Sequence, residues 1–202
     1  MTKTFLLSLF AAFMVLAAIP ASAAVAIGKP APDFTGTDSH GKSHKLSDFK
    51  GKIVVLEWTN PGCPFVKKHY ESKNMQKLQA DYTAKDVVWL SINSSAEGKE
   101  GYLTATDANK NIADWESKPT AYLLDPKGEI GHLYDAKTTP HMFVIDKEGI
   151  LVYEGAIDSD DSFKPEAIAT AKNYASVALD SVLAGKPVET AQTKPYGCSV
   201  KY

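Results

Sequence analysis

The sequence predicts an α/β fold in which a mixed central sheet carries helices on both faces. Apolar runs rich in β-branched residues alternate along the chain with segments of helical periodicity. The clearest transition from a strand to a helix begins with the apolar run 53–56, which is followed by a break at 60–62 and then by a predicted helix. Near the carboxyl end, segments 141–146 and 150–155 flank a Lys-Glu-Gly turn and predict a closing antiparallel hairpin.

The other elements follow from the same patterns, in chain order. Two short alternating runs about His40-Gly41 predict an N-terminal hairpin. The helix after Cys63 carries an imperfect apolar stripe from Phe65 to Tyr82, with lysines on the other side. Beyond it, periodicity predicts a strand over 87–92, a helix over 102–115, a strand over 121–125, a short helix over 129–134 and a long helix over 166–184.

A basic residue followed by an apolar segment lies near the amino end of the chain. Lys3 precedes a predominantly apolar stretch, 5–20, and Ala21-Ser-Ala23 has the small residues at which signal peptidase cleaves. We therefore predict that residues 1–23 are an export signal and that the mature protein is secreted or periplasmic. A membrane anchor is the alternative, but the run is shorter than the about 20 residues that span a bilayer.

The mature chain is predicted to form a single domain with an appendage. Residues 24–187 contain the alternating strands and helices and are of a usual size for one domain. Residues 188–202 contain Pro195 and Gly197 and lack periodicity, so we expect an extended tail that carries Cys198.

Charge and composition exclude several classes of partner. The chain has a net charge of −2, and its lysines are scattered, so neither a nucleic acid nor, after signal cleavage, a membrane surface is expected as a partner. All 22 basic residues are lysines, which excludes any mechanism that needs a bidentate guanidinium. No cofactor is expected, and the oligomeric state stays open.

The two cysteines, Cys63 and Cys198, are the residues most suited to chemistry. Cys63 stands at the start of a predicted helix, where unpaired N–H groups and the helix dipole favour the nucleophilic thiolate. Disulfides persist in exported proteins, and the chain lacks a Cys/His ligand pattern of the zinc-finger type. A redox or stapling role is therefore the natural interpretation.

Five blocks in a fixed order are typical of one superfamily. They are Ala31-Pro-Asp-Phe34, Cys63-Pro-Phe-Val-Lys-Lys-His-Tyr70, Leu124-Asp-Pro-Lys-Gly128, Thr138-Thr-Pro-His-Met-Phe-Val-Ile-Asp146 and Gly197-Cys-Ser-Val200. On these blocks the chain resembles the thioredoxin superfamily, in particular the secreted peroxiredoxin-like redoxins that share the alkyl hydroperoxide reductase/thiol-specific antioxidant (AhpC/TSA) domain. The resemblance covers nearly all of the mature chain and implies a thioredoxin-like fold.

Three further site residues follow. A carboxylate within the apolar run at Glu57 should have a raised pKa. The resemblance implies that this acid, six residues before Cys63, lies beneath the cysteine and exchanges protons; the alternative is a solvated or edge position. The resemblance also implies a cis bond before Pro140, next to Cys63. His141 would then lie near Cys63, either pairing with the thiolate or donating protons, although a solvated histidine is equally consistent with the sequence.

Departures from the family patterns bear on the reaction. Val66 stands where a thioredoxin has its second cysteine, so the usual short-range disulfide cannot form. The peroxidatic cysteine of true peroxiredoxins also aligns with Val66, and the arginine of their active site has no counterpart in this chain. Efficient peroxidase activity is therefore not expected.

The leading hypothesis is a secreted thiol-disulfide oxidoreductase in which Cys63 attacks a disulfide and Cys198 resolves the mixed disulfide. Protein thiols or disulfides and small thiols would be its partners. One alternative is a copper-binding or maturation protein with Cys63, His141 and Cys198 as soft ligands. Others are a weak thiol peroxidase and a redox-inactive module whose cysteines only staple the tail.

Overall fold

The computed structural model describes residues 25–202 and confirms the predicted α/β class. Its strands are β1 Thr35–Asp38, β2 Ser43–Lys45, β3 Val54–Trp58, β4 Val88–Asn93, β5 Ala121–Leu124, β6 Thr138–Thr139, β7 His141–Ile145, β8 Leu151–Gly155 and β9 Cys198–Ser199. Its α-helices are α1 Pro64–Glu71, α2 Asn74–Thr83, α3 Ala105–Trp115, α4 Glu129–Leu133 and α5 Tyr174–Leu183, and short 3-10 helices cover Leu46–Phe49 and Pro165–Ala169.

The predicted export signal, residues 1–23, lies outside the described residues. Within 25–202, no helix combines the length and the apolar character that crossing a bilayer requires.

Seven strands form one mixed sheet in the order β2-β1-β5-β4-β3-β7-β8. Strands β3, β4 and β5 run parallel, as expected for strand–helix–strand units, and the other pairs are antiparallel. Both predicted hairpins, β1–β2 and β7–β8, are confirmed. The apolar run that enters β3 therefore lies at the centre of the sheet, buried on both faces.

The sheet separates two hydrophobic cores. Helices α1, α2 and α5 cover one face, and the core there contains Cys63 together with Val55 and Met142 from the sheet. Helix α4 and the 3-10 helix at 46–49 cover the other face, around Trp58 and Phe143. The side chains of β3 alternate between the two cores, so the strand positions one residue set beneath Cys63 and one set away from it.

The helix predicted from Phe65 to Tyr82 is wrong as one element, because the chain breaks between α1 and α2. Lys73 adopts φ 62, in the left-handed region, and α1 ends at Glu71. Ser72 and Asn74 flank this residue, and both types compete with helical hydrogen bonds through their own side chains. The apolar stripe is imperfect because it belongs to two helices.

The long helix predicted over 166–184 is also wrong. Only a 3-10 turn forms at Pro165–Ala169, and α5 starts at Tyr174, where Asn173 caps it by accepting a hydrogen bond from the backbone N–H of Ser176 at 2.8 Å. The intervening backbone pairs with residues 157–159 and so cannot follow a helical path.

The helix predicted over 102–115 starts later, at Ala105, because Thr104 and Asp107 form a capping box.

The predicted extended tail is present and lies against the domain along most of its length. Backbone hydrogen bonds join Ala191 and Thr193 to Glu154 on the edge strand β8. Farther along, β9 pairs with β6 as a two-stranded sheet. The last residue, Tyr202, stacks on His132 with 3.9 Å between ring centroids. The tail therefore crosses from the sheet edge to the end of the sheet at which β3 stops.

Candidate active site

Cys63 occupies the N-cap position of α1, immediately before Pro64. The turn that delivers it is closed by Asn60, whose Oδ1 accepts a hydrogen bond from the backbone N–H of Gly62 at 2.7 Å. The carbonyl of Cys63 accepts from the first helical turn, at Val66 and Lys67. The cysteine side chain is only 1% exposed. The predicted position at a helix start is confirmed, and the thiol is covered in this structure.

The Thr139–Pro140 peptide bond is cis, as the family resemblance implies. The carbonyl oxygen of Thr139 faces Cys63 and accepts a hydrogen bond from its Sγ at 3.1 Å. The structure therefore brings the Pro140 segment to the cysteine.

Thr139 also brings Cys198 close to Cys63. In the β6–β9 pair, Cys198 lies directly opposite Thr139, whose carbonyl already contacts Cys63. Both cysteines are free, and the half-buried Cys198 packs against the hydrophobic cluster that contains Cys63. Burial, followed by the contact with Cys63, raises the pKa of Cys198 to about 12. The two thiols that lie far apart in the sequence are adjacent in the fold.

Gly197 permits this approach. Its φ of +129° lies in a region that residues with a side chain rarely adopt, and a Cβ built on it would lie 2.1 Å from the Thr139 carbonyl oxygen. In the Gly-Cys pair of the tail, Gly197 therefore allows the close backbone contact that places Cys198 near Cys63.

Glu57 lies on the sheet face that α1 covers, since its neighbours in the β3 register are Ser91 and Met142. It is fully buried and accepts four hydrogen bonds, from Tyr70 at 2.7 Å, Gln79 at 3.2 Å, Trp89 at 2.7 Å and Ser91 at 2.8 Å. All four donors are neutral, so burial outweighs them and raises the pKa of Glu57 above its usual range. The burial and the raised pKa predicted for this acid are confirmed, whereas its proton exchange with Cys63 stays a prediction.

His141 does not lie at the cysteines, contrary to the expectation that it would follow Pro140 to the site. Its ring packs against Phe143 with 4.4 Å between centroids, and Phe143 belongs to the core on the opposite face of the sheet. Its Nδ1 accepts a hydrogen bond from the backbone N–H of Lys137. Burial lowers the pKa of His141 to about 4, so the ring is neutral at physiological pH. The residue after the cis proline turns its side chain away because strand side chains alternate.

The ligand set of the copper hypothesis is consequently not assembled. Cys198 packs against the cluster that contains Cys63, but the His141 ring packs on Phe143 of the other core. Among residues 25–202, no group of three or more metal-ligating side chains is arranged to hold an ion.

A buried polar network that the sequence did not predict anchors the tail next to this site. We call it the Asp158 cluster, and it consists of Lys68, His69, Asp158 and Tyr196. The Lys68 side chain is fully buried and the Asp158 side chain is 2% exposed. Adjacent lysines after a helix start are usually solvated, so nothing in the pattern separated Lys68 from Lys67. A charged residue can be buried only with a partner, and that partner lies far along the chain in the Asp158 loop.

Comparison with known proteins assigns the fold and the family. The AhpC/TSA family model matches residues 27–154, which include Cys63, Pro140 and Glu57 but end before Cys198. The thiol-disulfide oxidoreductase ResA of Bacillus thuringiensis subsp. konkukian is 33% identical over 129 residues, which are 63% of this chain and 68% of that protein.

Two solved structures share the fold over most of this chain. The structure of a conserved protein from Geobacillus kaustophilus has 30% identity and a TM-score of 0.73, and the match covers 88% of this chain and 92% of that one. A hypothetical protein from Sinorhizobium meliloti 1021 has 25% identity and the same TM-score of 0.73, with 89% and 96% covered.

Proposed function

This chain belongs to the AhpC/TSA family, and we propose that it is a thiol-disulfide oxidoreductase whose redox pair is Cys63 and Cys198. The single observation that carries the proposal is the position of Cys198 next to Cys63, created by the pairing of β9 with β6 opposite Thr139. The name of the ResA relative, a thiol-disulfide oxidoreductase, supports the same class of reaction.

The proposed reaction reduces a disulfide in two exchange steps. The Cys63 thiolate attacks one sulfur of a substrate disulfide, and the other substrate sulfur leaves as a thiolate. The Cys198 thiolate then attacks the Cys63 sulfur of the mixed disulfide and releases the second substrate thiolate. Two electrons have passed to the substrate, and the protein carries a Cys63–Cys198 disulfide that an external dithiol reduces again.

The charge balance between the two sulfurs favours this order. In the reduced protein, Cys63 contributes to the raised pKa of Cys198, so Cys198 keeps its proton. Once Cys63 is part of a mixed disulfide it carries no charge, and its contribution to the pKa of Cys198 disappears. Cys198 therefore becomes a better nucleophile at the step in which it must attack, with burial as the remaining obstacle.

Glu57 is the proposed proton acceptor for the exchange. Its pKa is raised above the ordinary value, which suits a group that takes up a proton and returns it during the exchange. The hydroxyls of Tyr70 and Ser91 can rotate, so the carboxyl can hold a proton on Oε1 and donate it to the Tyr70 oxygen.

The proposed substrates are protein disulfides or small disulfides outside the cytoplasm. The export signal predicted at residues 1–23 supports this compartment, in which disulfide chemistry is required.

The test is to trap each intermediate with single-cysteine variants. Wild-type protein, Cys63→Ser and Cys198→Ser are oxidised with glutathione disulfide and mapped as non-reduced peptides by mass spectrometry. We expect a Cys63–Cys198 linkage in the wild type and a glutathione adduct on Cys63 in Cys198→Ser. Turnover of a model protein disulfide should be lost in Cys63→Ser.

Two results would overturn the pairing. In one, both wild-type thiols remain alkylatable after oxidation. In the other, the only disulfide is an intermolecular one through Cys198, which would leave Cys63 dependent on an external resolving thiol.

A further inference from the structure

The Asp158 cluster sits directly beside the redox pair and has no part in the exchange steps. Tyr196 belongs to the tail and lies two residues before Cys198. Its ring packs against Phe65 with 6.0 Å between centroids, and its hydroxyl donates to Asp158 Oδ1 at 2.5 Å. The tail is thereby fixed to α1 and to the Asp158 loop immediately before it reaches Cys63.

The hydrogen bonds of the cluster run in one direction. The Asn74 amide donates to His69 Nδ1 at 2.9 Å, so the proton of the neutral ring lies on Nε2. His69 Nε2 is 3.1 Å from the Tyr196 oxygen and donates to it. Burial lowers the pKa of His69 to about 3, which keeps the ring neutral. Tyr196 therefore accepts from His69 and donates to Asp158, and both bonds are partly buried.

Lys68 completes the cluster on its charged side. Its Nζ donates to the Asp160 carbonyl at 2.6 Å, lies 3.7 Å from Asp158 Oδ1, and stands 5.3 Å from the centre of the Tyr196 ring. The ammonium balances the Asp158 carboxylate, and the Tyr196 ring lies against that ammonium. Removing the tyrosine hydroxyl would leave the His69 N–H unpaired and remove one hydrogen bond to the carboxylate.

We propose that Tyr196 is a positioning residue that latches the tail onto α1, so that Cys198 is held against Cys63 and Cys63 is covered. The inference rests on the proposed function only in calling Cys198 the resolving thiol. Cys63 is 1% exposed, and Tyr196 and Cys198 of the tail pack against the cluster that contains it, so lifting the tail would open a route for a reagent. The strength of the latch therefore sets both the access to Cys63 and the local concentration of the Cys198 thiol.

The first arm of the test measures access without depending on disulfide formation. In a Cys198→Ser background, which leaves a single thiol, Tyr196→Phe keeps the ring that packs on Phe65 and deletes only the hydroxyl. We expect iodoacetamide to alkylate Cys63 about 10-fold faster than in the Cys198→Ser parent, because a hydrogen bond to a charged group no longer opposes opening.

Tyr82→Phe in the same background is the matched control. The Tyr82 hydroxyl also donates to a carboxylate, that of Asp180, at 3.0 Å, and it joins α2 to α5. We expect this control to leave the alkylation rate of Cys63 unchanged. Unfolding midpoints of both variants show whether a general loss of stability accounts for any change.

The second arm measures the redox equilibrium of the full chain with both cysteines. In glutathione buffers, two protein thiols are oxidised to one disulfide while glutathione disulfide is reduced to two thiols. We expect Tyr196→Phe to lower the equilibrium constant for the Cys63–Cys198 bond about 10-fold, and Tyr82→Phe to leave it unchanged.

The outcomes separate the two proposals. If the wild type forms no Cys63–Cys198 bond, the proposed redox pair fails, and the alkylation arm still decides the latch. If the bond forms and Tyr196→Phe changes neither readout relative to Tyr82→Phe, the latch is wrong and the redox pair stands.

Discussion

The hydroxyl of Tyr70 donates to Glu57 Oε1 at 2.7 Å, which ties the helix that starts after Cys63 to the strand beneath it. Each of these two buried polar groups serves as a hydrogen-bond partner for the other. The carboxyl satisfies a hydroxyl in the core, and the hydroxyl gives a buried acid one of its four donors. Among the hydrogen-bond donors described for Glu57, none is a cation, so burial still raises its pKa.

The raised pKa of Glu57 predicts a specific dependence of stability on pH. Because the folded pKa lies above the ordinary value of 4.5, the folded state binds more protons than the unfolded state. The ionisation of Glu57 therefore lowers the free energy of unfolding as pH rises from 4.5 towards the folded pKa. Glu57→Gln removes that loss. We expect the stability of Glu57→Gln relative to wild type to improve across this window by up to about 1.4 kcal/mol per pH unit.

Urea unfolding at several pH values between 5 and 8 tests this expectation. Glu97→Gln, at an exposed position, is the control and should follow the wild type. Parallel curves for Glu57→Gln and wild type would mean that Glu57 ionises as it does in the unfolded chain.

His141, the buried histidine of β7, predicts that stability depends on pH in the opposite direction at lower pH. The pKa of His141 falls from an ordinary 6.5 to about 4 in the folded state, so folding releases a proton between these values. Its contribution to stability is complete above pH 6.5 and is lost as pH falls through this window. His141→Asn supplies an amide oxygen that can accept from the Lys137 N–H.

We expect the free energy of unfolding of the wild type to fall by up to about 3 kcal/mol more than that of His141→Asn between pH 7 and 4. Denaturant unfolding at each pH measures the difference, with His40→Asn as an exposed control. An equal loss in His141→Asn and wild type would show that acid sensitivity originates at other groups.

The parts of the site set by local sequence were predictable. Asn60-Pro-Gly62 ends a strand and Pro64 suits a first helical turn, so the position of Cys63 at their join follows from a few neighbouring residues. The cis bond before Pro140 could be expected only from the resemblance, because most bonds of this type are trans.

The parts set by contacts between distant residues were not predictable. The burial of Lys68 depends on Asp158, and the position of Cys198 depends on pairing with Thr139. Neither partner is marked by periodicity or spacing. The direction of the His141 side chain does not follow from its closeness along the chain to Pro140, because a strand sends successive side chains to opposite faces.

Peroxide reactivity should be low. The chain has no arginine to polarise a peroxide O–O bond, and Val66 stands where the family resemblance would place a peroxidatic cysteine. We expect reduced Cys63 to react with hydrogen peroxide at about the rate of an ordinary thiolate, measured by loss of free thiol in the Cys198→Ser variant. A rate several orders of magnitude higher would require a different source of peroxide activation at the site.

Substitution of Gly197 tests whether the Cys63–Cys198 bond depends on the close backbone contact of the tail. Gly197→Ala would place a Cβ 2.1 Å from the Thr139 carbonyl oxygen at a φ of +129°, so the β6–β9 pair must separate. We expect the Cys63–Cys198 bond to form less readily in glutathione buffers. Alkylation of Cys63 in the Cys198→Ser background should accelerate, since the tail no longer covers the thiol.

Gly149→Ala separates the effect of the close contact from that of the backbone conformation. Gly149 also has a positive φ, of +83°, but nothing lies within 4 Å of the position that a Cβ would take there, and it belongs to the β7–β8 turn. The substitution should cost stability of about 1 kcal/mol through backbone strain and leave both thiol readouts unchanged. If Gly197→Ala behaves like Gly149→Ala, the contact between β9 and β6 does not hold Cys198 in place, and the tail reaches Cys63 by other contacts.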